Sequence, residues 1–287
     1  MKTLRIFLCS VLLLGVGTAA FAQSARCLPA RTDGVDPYKD GEKIVFNVSY
    51  NWHAVQTDVA KANLTADQTT LNGEKVWHTA LTMKTAPFFD VFFKIRESFE
   101  SWFGLKGVEP RRFLRETREG DYHCINDYRY DHKAKTIHAH LEYWDKEKVD
   151  MDIPFGDCTY DVTSLFYYAR RMDYANLKPG TVYKISFAID REVQTVNLTY
   201  RGQENKYIKG VGTIATRKFG LSLKKGEVFE GNEDAILWFS DDDNRLPVAF
   251  MAPLKVGAMN GRLASYEGLA HDFTALISTK RVKLGSK

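Results

Sequence analysis

The feature that most constrains the fold is a short amphipathic segment, residues 160–173, in a chain whose other patterns are those of β-strands. Asp161 can act as its N-cap, accepting hydrogen bonds from the amides of the first turn. The apolar residues that follow recur with the 3.6-residue period of one helix face; they are Val162, Leu165, Phe166, Ala169 and Met172. This pattern predicts a helix that begins after Asp161 and ends before Leu177-Lys178-Pro179-Gly180.

This helix is apolar on more than one side, because Tyr160, Tyr167 and Tyr168 widen its stripe. A helix of this kind is usually surrounded by other elements. We therefore expect a curved sheet to wrap it, with Leu165 and Phe166 buried against the concave side of the sheet.

Strand patterns fill most of the remaining chain. Apolar and polar residues alternate from Ile44 to Trp52, and Asn72-Gly73 is a typical two-residue hairpin turn. Further strands are predicted at 95–103, 110–118, 121–131, 136–144, 148–154, 206–217, 219–224 and 258–268. We predict a mainly β fold in which one curved antiparallel sheet, a partial barrel, wraps a central α-helix. We place it in a single domain of residues 23–280, followed by a basic flexible tail at 281–287.

The first 22 residues have the pattern of a secretory signal peptide. An apolar region, residues 6–16, follows two cations, and Ala20-Phe21-Ala22 is a typical cleavage site. We expect an exported, soluble chain starting at Gln23, periplasmic or extracellular, with no membrane span. Without the two leader cations the formal net charge falls from +4 to about +2. This charge is too small to indicate a nucleic-acid partner.

Three cysteines remain after the leader, and an exported chain can oxidise them. Cys27 lies in a polar segment, residues 23–40, that needs tethering, and Cys158 precedes the predicted helix. We predict a Cys27–Cys158 disulfide with Cys124 as the remaining thiol, although three cysteines leave other pairings open.

The most hydrophobic stretch of the mature chain is Pro87-Phe88-Phe89-Asp90-Val91-Phe92-Phe93. It is too short for a long helix and lacks strict alternation. We predict a helical turn or loop that plugs one end of the core, because most apolar clusters are packing residues. The alternative is an exposed aromatic lip that contacts a partner.

His138, His140 and Glu142 share one face of a predicted strand, and zinc accepts such ligands. The other face is apolar, so we expect these three side chains to point to water. No metal or cofactor is therefore predicted. The sequence also lacks a nucleophile elbow, an H-E-x-x-H helix motif and a P-loop.

Charged residues of the predicted strands at 95–103 and 110–118 also give no catalytic assignment. Glu97 and Glu100 fall on opposite faces of their strand, which makes a poor acid/base pair. A basic strand favours a solvated, paired face, with an anionic glycan or lipid headgroup as the alternative; its members are Arg111, Arg112, Arg115 and Arg118.

Several segments of the chain carry a resemblance when they are taken together. They are Asp40-Gly41-Glu42 with residues 45–52, residues 158–170, residues 238–242, residues 246–248 and residues 256–259. In combination they resemble the domain-of-unknown-function 3108 family of exported bacterial proteins. The resemblance implies a curved antiparallel sheet closed around a central helix. The family has no established activity, so it supplies no catalytic residues.

The surplus of aromatic residues beside one helix favours a non-enzymatic envelope protein whose half-barrel holds an apolar or glycan ligand. Aromatic rings can cover acyl chains or sugar faces, and arginine can bind a carboxylate or phosphate. The candidate ligand-binding residues are Trp52, Tyr167, Tyr168, Arg170 and Trp238.

Two other functions stay open. One is an interaction module for surface polysaccharide or outer-membrane machinery, with a cell-envelope protein as partner. The other is a hydrolase with dispersed carboxylates. A deep cavity would favour the ligand binder, an exposed aromatic patch at residues 88–93 the interaction module, and two carboxylates converging in a polar cleft the hydrolase.

Overall fold

The structure is a computed structural model that describes residues 30–52, 55–144, 148–223, 235–254 and 257–281. Most of the elements in it are β-strands, as the alternation of apolar and polar residues predicts. Within these ranges sixteen strands belong to one sheet. They are β1 (Glu42–Trp52), β2 (Val55–Leu71), β3 (Glu74–Thr85), β4 (Ile95–Gly104), β5 (Pro110–Glu119), β6 (Tyr122–Asp131), β7 (Thr136–Tyr143), β8 (Val149–Pro154), β9 (Thr159–Tyr160), β10 (Val182–Ile189), β11 (Glu192–Ile208), β12 (Gly212–Leu223), β13 (Ala235–Ser240), β14 (Pro247–Pro253), β15 (Ala258–Glu267) and β16 (Leu276–Ser278). The helices among them are α1 (Pro87–Asp90), α2 (Val162–Arg170) and a 3-10 helix, Tyr174–Asn176.

The sheet is built from two antiparallel meanders that meet along one seam. The first runs from β1 to β8 and the second from β10 to β15, and β1 pairs with β15. The short strand β9 pairs with β10 in parallel, and β16 pairs with β12. The sheet is not closed into a barrel, because β8 and β9 are its edge strands.

Local turn chemistry sets the hairpins. Asn72 and Gly73 join β2 to β3 with φ values of 51° and 85°, left-handed conformations that these residues accept at low cost, so the predicted hairpin is confirmed. The predicted break between residues 217 and 219 is wrong, since β12 runs through it without interruption. The turn lies at residues 209–211 instead, where Gly210 has a φ of 90°.

The predicted helix is confirmed as α2, and its N-cap is the expected residue. Asp161 Oδ1 accepts hydrogen bonds from the amides of Thr163 (2.9 Å) and Ser164 (2.8 Å). Its Oδ2 accepts a third from Ser101 Oγ of β4 at 2.6 Å. Burial raises the pKa of Asp161 to about 6, against the opposing effect of these hydrogen bonds. The cap therefore ties the start of the helix to the sheet.

The buried face of α2 differs from the one expected. Leu165 and Phe166 are only half-buried, whereas Thr163, Tyr167 and Arg170 are fully buried. The reason is polar pairing. Thr163 Oγ1 donates to the carbonyl of Phe99 (3.3 Å), and the other two side chains also find partners on the sheet. The helix is held by hydrogen bonds at positions that apolar periodicity does not mark.

Three sequence predictions concern parts of the chain outside the described ranges. The signal peptide lies there, and so do residues 282–287 of the predicted basic tail. Cys27 also lies there, so the Cys27–Cys158 disulfide stays a prediction. Cys124 is a buried thiol on β6. No helix in the described residues is long and apolar enough to cross a membrane.

Candidate functional site

Arg170, a predicted ligand-binding residue, is committed to protein partners. Its guanidinium forms a bidentate pair with Glu42 of β1, at 2.5 and 2.8 Å, and both side chains are fully buried. Its Nε donates to the carbonyl of Asn244 at 3.1 Å, and Nη2 also donates to the carbonyl of Pro37 at 2.7 Å. These bonds occupy most of its donors. Arg170 therefore links α2 to β1 and to the loop between β13 and β14.

The two tyrosines predicted beside Arg170 are also packed. Tyr167 is fully buried, and its hydroxyl donates to the carbonyl of Thr65 in β2 at 3.0 Å. Its ring meets Tyr38 edge to face, with centroids 4.8 Å apart. Tyr168 stacks on Tyr160 of β9 at 4.3 Å. These contacts are those of core residues, and a ligand-binding role for them stays a prediction.

Trp238 lies on the opposite face of the sheet from this cluster. It pairs across the ladder with Lys218 of β12, whereas the next residue of that strand, Phe219, packs against Tyr174 in the core. Lys206 Nζ lies 3.5 Å from the indole centroid, and the indole nitrogen donates to Glu204 at 2.5 Å. The structure therefore separates Trp238 from α2. The side chain of Trp52, the remaining candidate, lies outside the described part of the structure.

An open depression lies beside Trp238, with a volume of about 380 Å³. Most of its lining residues are of polar types; they are Gln203, Glu204, Asn205, Ala215, Thr216 and Asp241. Gln203 already donates to Asp241 at 2.6 Å, and Arg217 donates to the same carboxylate at 2.6 Å. This depression is not the deep apolar cavity that would favour a ligand-binding half-barrel.

The sequence analysis did not predict an acidic pair between β4 and β5. Glu97 of β4 is buried and Glu119 of β5 is half-buried, and the two carboxyl groups lie close enough for each to affect the pKa of the other. Thr117 Oγ1 donates to Glu97 Oε2 at 2.6 Å, and Arg115 Nε donates to Thr117 Oγ1 at 2.9 Å. Arg115 is fully buried and also donates to Asp190 at 2.9 Å. The chain of partners connects β4 and β5 to the turn between β10 and β11.

This pair holds a proton near neutral pH. Burial raises the pKa of Glu97 to about 8, and the neighbouring charge and hydrogen bond of Glu119 add to the rise. Burial also raises the pKa of Glu119, but there the hydrogen bond from Glu97 and the charge of Arg115 oppose it. Glu97 is more deeply buried than Glu119, so it is the member at which a proton is favoured. The signal in the sequence was the parity of Glu97, Arg115 and Thr117, which places them on one face of adjacent strands.

The other predicted polar constellations are resolved into ion pairs. His140 contacts Asp150 (2.6 Å) and Glu142 (3.0 Å), and His138 contacts Asp152 (2.7 Å), all on the outer face. Across the described residues no cluster of three or more His, Cys, Asp or Glu has a geometry suited to a metal. The four arginines of β5 do not share one face, because Arg115 is internal while Arg111 and Arg112 pair with Glu74 and Asp127.

The segment between β3 and β4 forms the predicted helical turn, but it does not plug the core. Phe88, Val91 and Phe92 are 70%, 83% and 71% exposed. Phe89 and Phe93 are half-buried beneath them. The expectation of a packed cluster is therefore wrong, and the alternative of an exposed aromatic lip describes the structure. We call residues Pro87–Phe93 the apolar tip.

The tip is held in place by one ion pair. Asp90 accepts hydrogen bonds from Arg96 at 3.0 and 2.6 Å and another from Thr85 Oγ1. These hydrogen bonds lower the pKa of Asp90 to about 2. The rings also contact one another, with Phe88 5.2 Å from Phe89 and 5.9 Å from Phe92 between centroids. The exposed rings are thus presented by an ordered turn.

Comparison with protein families decides the family of the chain. The family model described as "Protein of unknown function (DUF3108)" matches residues 45–264. The chain belongs to the DUF3108 family. The matched region of this DUF3108 protein contains the apolar tip, the Glu97–Glu119 pair and helix α2, whereas Glu42, the partner of Arg170, lies just before it.

Comparison with solved structures bears on the fold of the DUF3108 chain. It is similar to a β-barrel-like protein of the domain-of-unknown-function family DUF1849 from Brucella abortus, at a TM-score of 0.52 and 9% identity. The alignment covers 80% of this chain and 98% of that chain. No curated protein matches the sequence. At this identity the likeness concerns the fold alone.

Proposed function

We propose that this DUF3108 protein is an exported, non-enzymatic interaction protein of the cell envelope that contacts its partner through the apolar tip. The observation that carries the proposal is the exposure of Phe88, Val91 and Phe92 on one turn. Large apolar side chains exposed side by side mark interaction sites, whereas scattered ones do not. The Asp90–Arg96 pair supports the proposal, because a fixed turn loses little conformational entropy on binding.

We also propose that the open sheet curves around α2 and so forms the rigid support for the tip. The partners of the helix support this architecture, since they come from both meanders. Tyr167 bonds to β2 and Arg170 to β1, while Arg170 also reaches the loop between β13 and β14. Ser101, which donates a hydrogen bond to the helix cap Asp161, lies on β4, the strand that follows the tip.

The alternative of a ligand held beside α2 has less support, because the polar groups of Tyr167 and Arg170 form hydrogen bonds within the protein. The hydrolase alternative has one supporting observation, the convergence of Glu97 and Glu119. However, Glu97 is only 5% exposed, and general acid catalysis needs the acid within hydrogen-bond reach of a substrate. The side chains of the tip, by contrast, are mostly exposed to solvent.

Binding to isolated envelope fragments tests the proposal. We expect the purified protein to sediment with fragments and the variant Phe88→Ser/Phe92→Ser to bind at least about tenfold more weakly, because two exposed rings are lost from the contact. The matched control is Val182→Ser/Ile277→Ser, which removes two exposed apolar residues elsewhere (53% and 51% exposed). Equal binding by both variants and the parent would contradict the proposal.

A further inference from the structure

A row of cations crosses the outer face of the sheet next to the apolar tip. Strand register places Lys61 of β2 opposite Lys84 of β3, Lys84 opposite Arg96 of β4, and Arg96 opposite Arg118 of β5. Residues directly opposite on adjacent strands share one face, and adjacent strands lie about 4.8 Å apart. The four cations therefore span about 15 Å. We call them the basic row.

The basic row lies immediately behind the tip. Lys84 and Arg96 form the last pair of the β3–β4 ladder, and the tip begins three residues after Lys84. Lys94, at the return from the tip, is exposed as well. The exposed apolar side chains of the tip thus lie next to a band of positive charge at this end of β3 and β4.

Acidic neighbours cancel only part of this charge. Asp90 pairs with Arg96, and Glu116 pairs with Arg118. Lys61, Lys84 and Lys94 are all exposed. The salt bridges between described residues involve none of the three, although Lys94 lies close enough to Asp90 for its charge to contribute to the low pKa of that carboxyl. The surface around the tip therefore keeps an excess of lysine charge that can meet an anionic partner.

An exposed tryptophan extends the same edge. Arg118 is opposite His123 of β6, and the amide of Trp144 donates to the carbonyl of His123 at 2.8 Å. Trp144 is 69% exposed. Tryptophan is enriched at membrane–water interfaces, where its apolar ring and N–H group contact different layers. The edge thus carries apolar rings at the tip, lysines behind them and a tryptophan at the side.

We propose that this edge docks on an anionic lipid bilayer, with the apolar tip among the acyl chains and the basic row at the headgroups. The proposal rests on the proposed function and names its partner. Apolar side chains that enter the interface, together with cations that attract anionic lipids, are the two components of peripheral membrane binding. A groove on a protein partner would not require a band of lysines next to the inserted residues. The negatively charged surface of an anionic bilayer attracts such a band.

The test uses the purified full-length mature protein and protein-free vesicles. We expect it to float with phosphatidylglycerol/phosphatidylcholine vesicles and to bind pure phosphatidylcholine vesicles at least about tenfold more weakly, because the lysines lose their anionic partners. High salt should weaken the first binding, since exposed charges are screened. The substitution Phe88→Ser/Phe92→Ser should abolish flotation, and Lys61→Gln/Lys84→Gln should weaken it by roughly tenfold or more.

The control Val182→Ser/Ile277→Ser should float like the parent, and urea unfolding should show that every variant is folded. Absence of flotation with phosphatidylglycerol vesicles, or flotation that the tip substitution leaves unchanged, would overturn the lipid proposal. A third outcome is that the parent does not bind vesicles but the tip variant still loses binding to envelope fragments. In that case the partner is a protein or glycan, and the proposed function still holds. If neither surface is bound through the tip, both fail.

Discussion

Replacing Glu42 with alanine is expected to lower the free energy of unfolding by about 3–5 kcal/mol, because removal of one partner leaves a buried charge unpaired. Arg170 has no exposed surface, and Glu42 takes two of its hydrogen bonds. The variant would keep a guanidinium that water cannot reach. Urea unfolding followed by circular dichroism measures the change.

The matched control for Glu42→Ala is Asp58→Ala. Asp58 also forms a bidentate pair with an arginine, Arg262, with both bonds at 2.6 Å, but the Asp58 side chain is 46% exposed. Its loss should cost less than about 1 kcal/mol. A second variant, Glu42→Leu/Arg170→Met, removes both charges and should recover much of the stability. Equal losses for Glu42→Ala and Asp58→Ala would show that burial does not set the cost.

The parent protein is expected to lose stability as the pH rises through about 8, and the substitution Glu97→Gln is expected to remove this loss. The folded-state pKa of Glu97 is about 8, raised from 4.5 mainly by burial. The folded protein therefore retains a proton that the unfolded chain releases. This contribution to stability is fully present below about pH 4.5 and is lost as the pH rises through about 8. Above that pH the parent should be less stable than at pH 4.5 by up to about 5 kcal/mol, since each pKa unit corresponds to about 1.4 kcal/mol.

Glutamine keeps the shape of Glu97 and can still accept the hydrogen bond from Thr117. The variant should show a flatter dependence of unfolding free energy on pH and exceed the parent in stability above pH 8. Glu100→Gln, on the opposite face of β4, is the control, because the hydrogen bond from His78 lowers the pKa of Glu100. Its carboxylate stabilises the fold above pH 4.5 instead, so the sign is opposite. Parallel pH profiles for the parent and Glu97→Gln would contradict the assignment.

The local features of the fold were predictable from the sequence. The N-cap at Asp161 and the hairpin at Asn72-Gly73 depend on residues close in the chain, and their chemistry is specific. The mainly β fold class was also predictable from local pattern, because successive residues of a strand point to opposite faces of the sheet and apolar and polar residues alternate accordingly. The strand break wrongly predicted between residues 217 and 219 lies beside a glycine inside a strand, Gly220 of β12.

The polar interior was not predictable, because it depends on partners distant in the sequence. Glu42 and Arg170 are 128 residues apart, and Arg115 and Asp190 are 75 apart. Each of these four residues is of a charged type that is usually found at the protein surface. The exposure of the apolar tip also depends on topology: the turn lies past the last ladder pair of β3 and β4, and none of the described strands pairs with it. Its hydrophobic composition alone pointed to the core.

The most direct test of the account is the depth of the tip in a bilayer. The substitution Phe92→Trp places a fluorophore on the tip, and its emission is obtained as the difference from the parent protein. With phosphatidylglycerol vesicles that contain phosphatidylcholine brominated on its acyl chains, we predict a blue shift and strong quenching of that difference signal. Val182→Trp, at an exposed strand position away from the tip, should show neither. Vesicle-bound protein in which the Phe92→Trp signal is quenched no more than that of Val182→Trp would contradict the account.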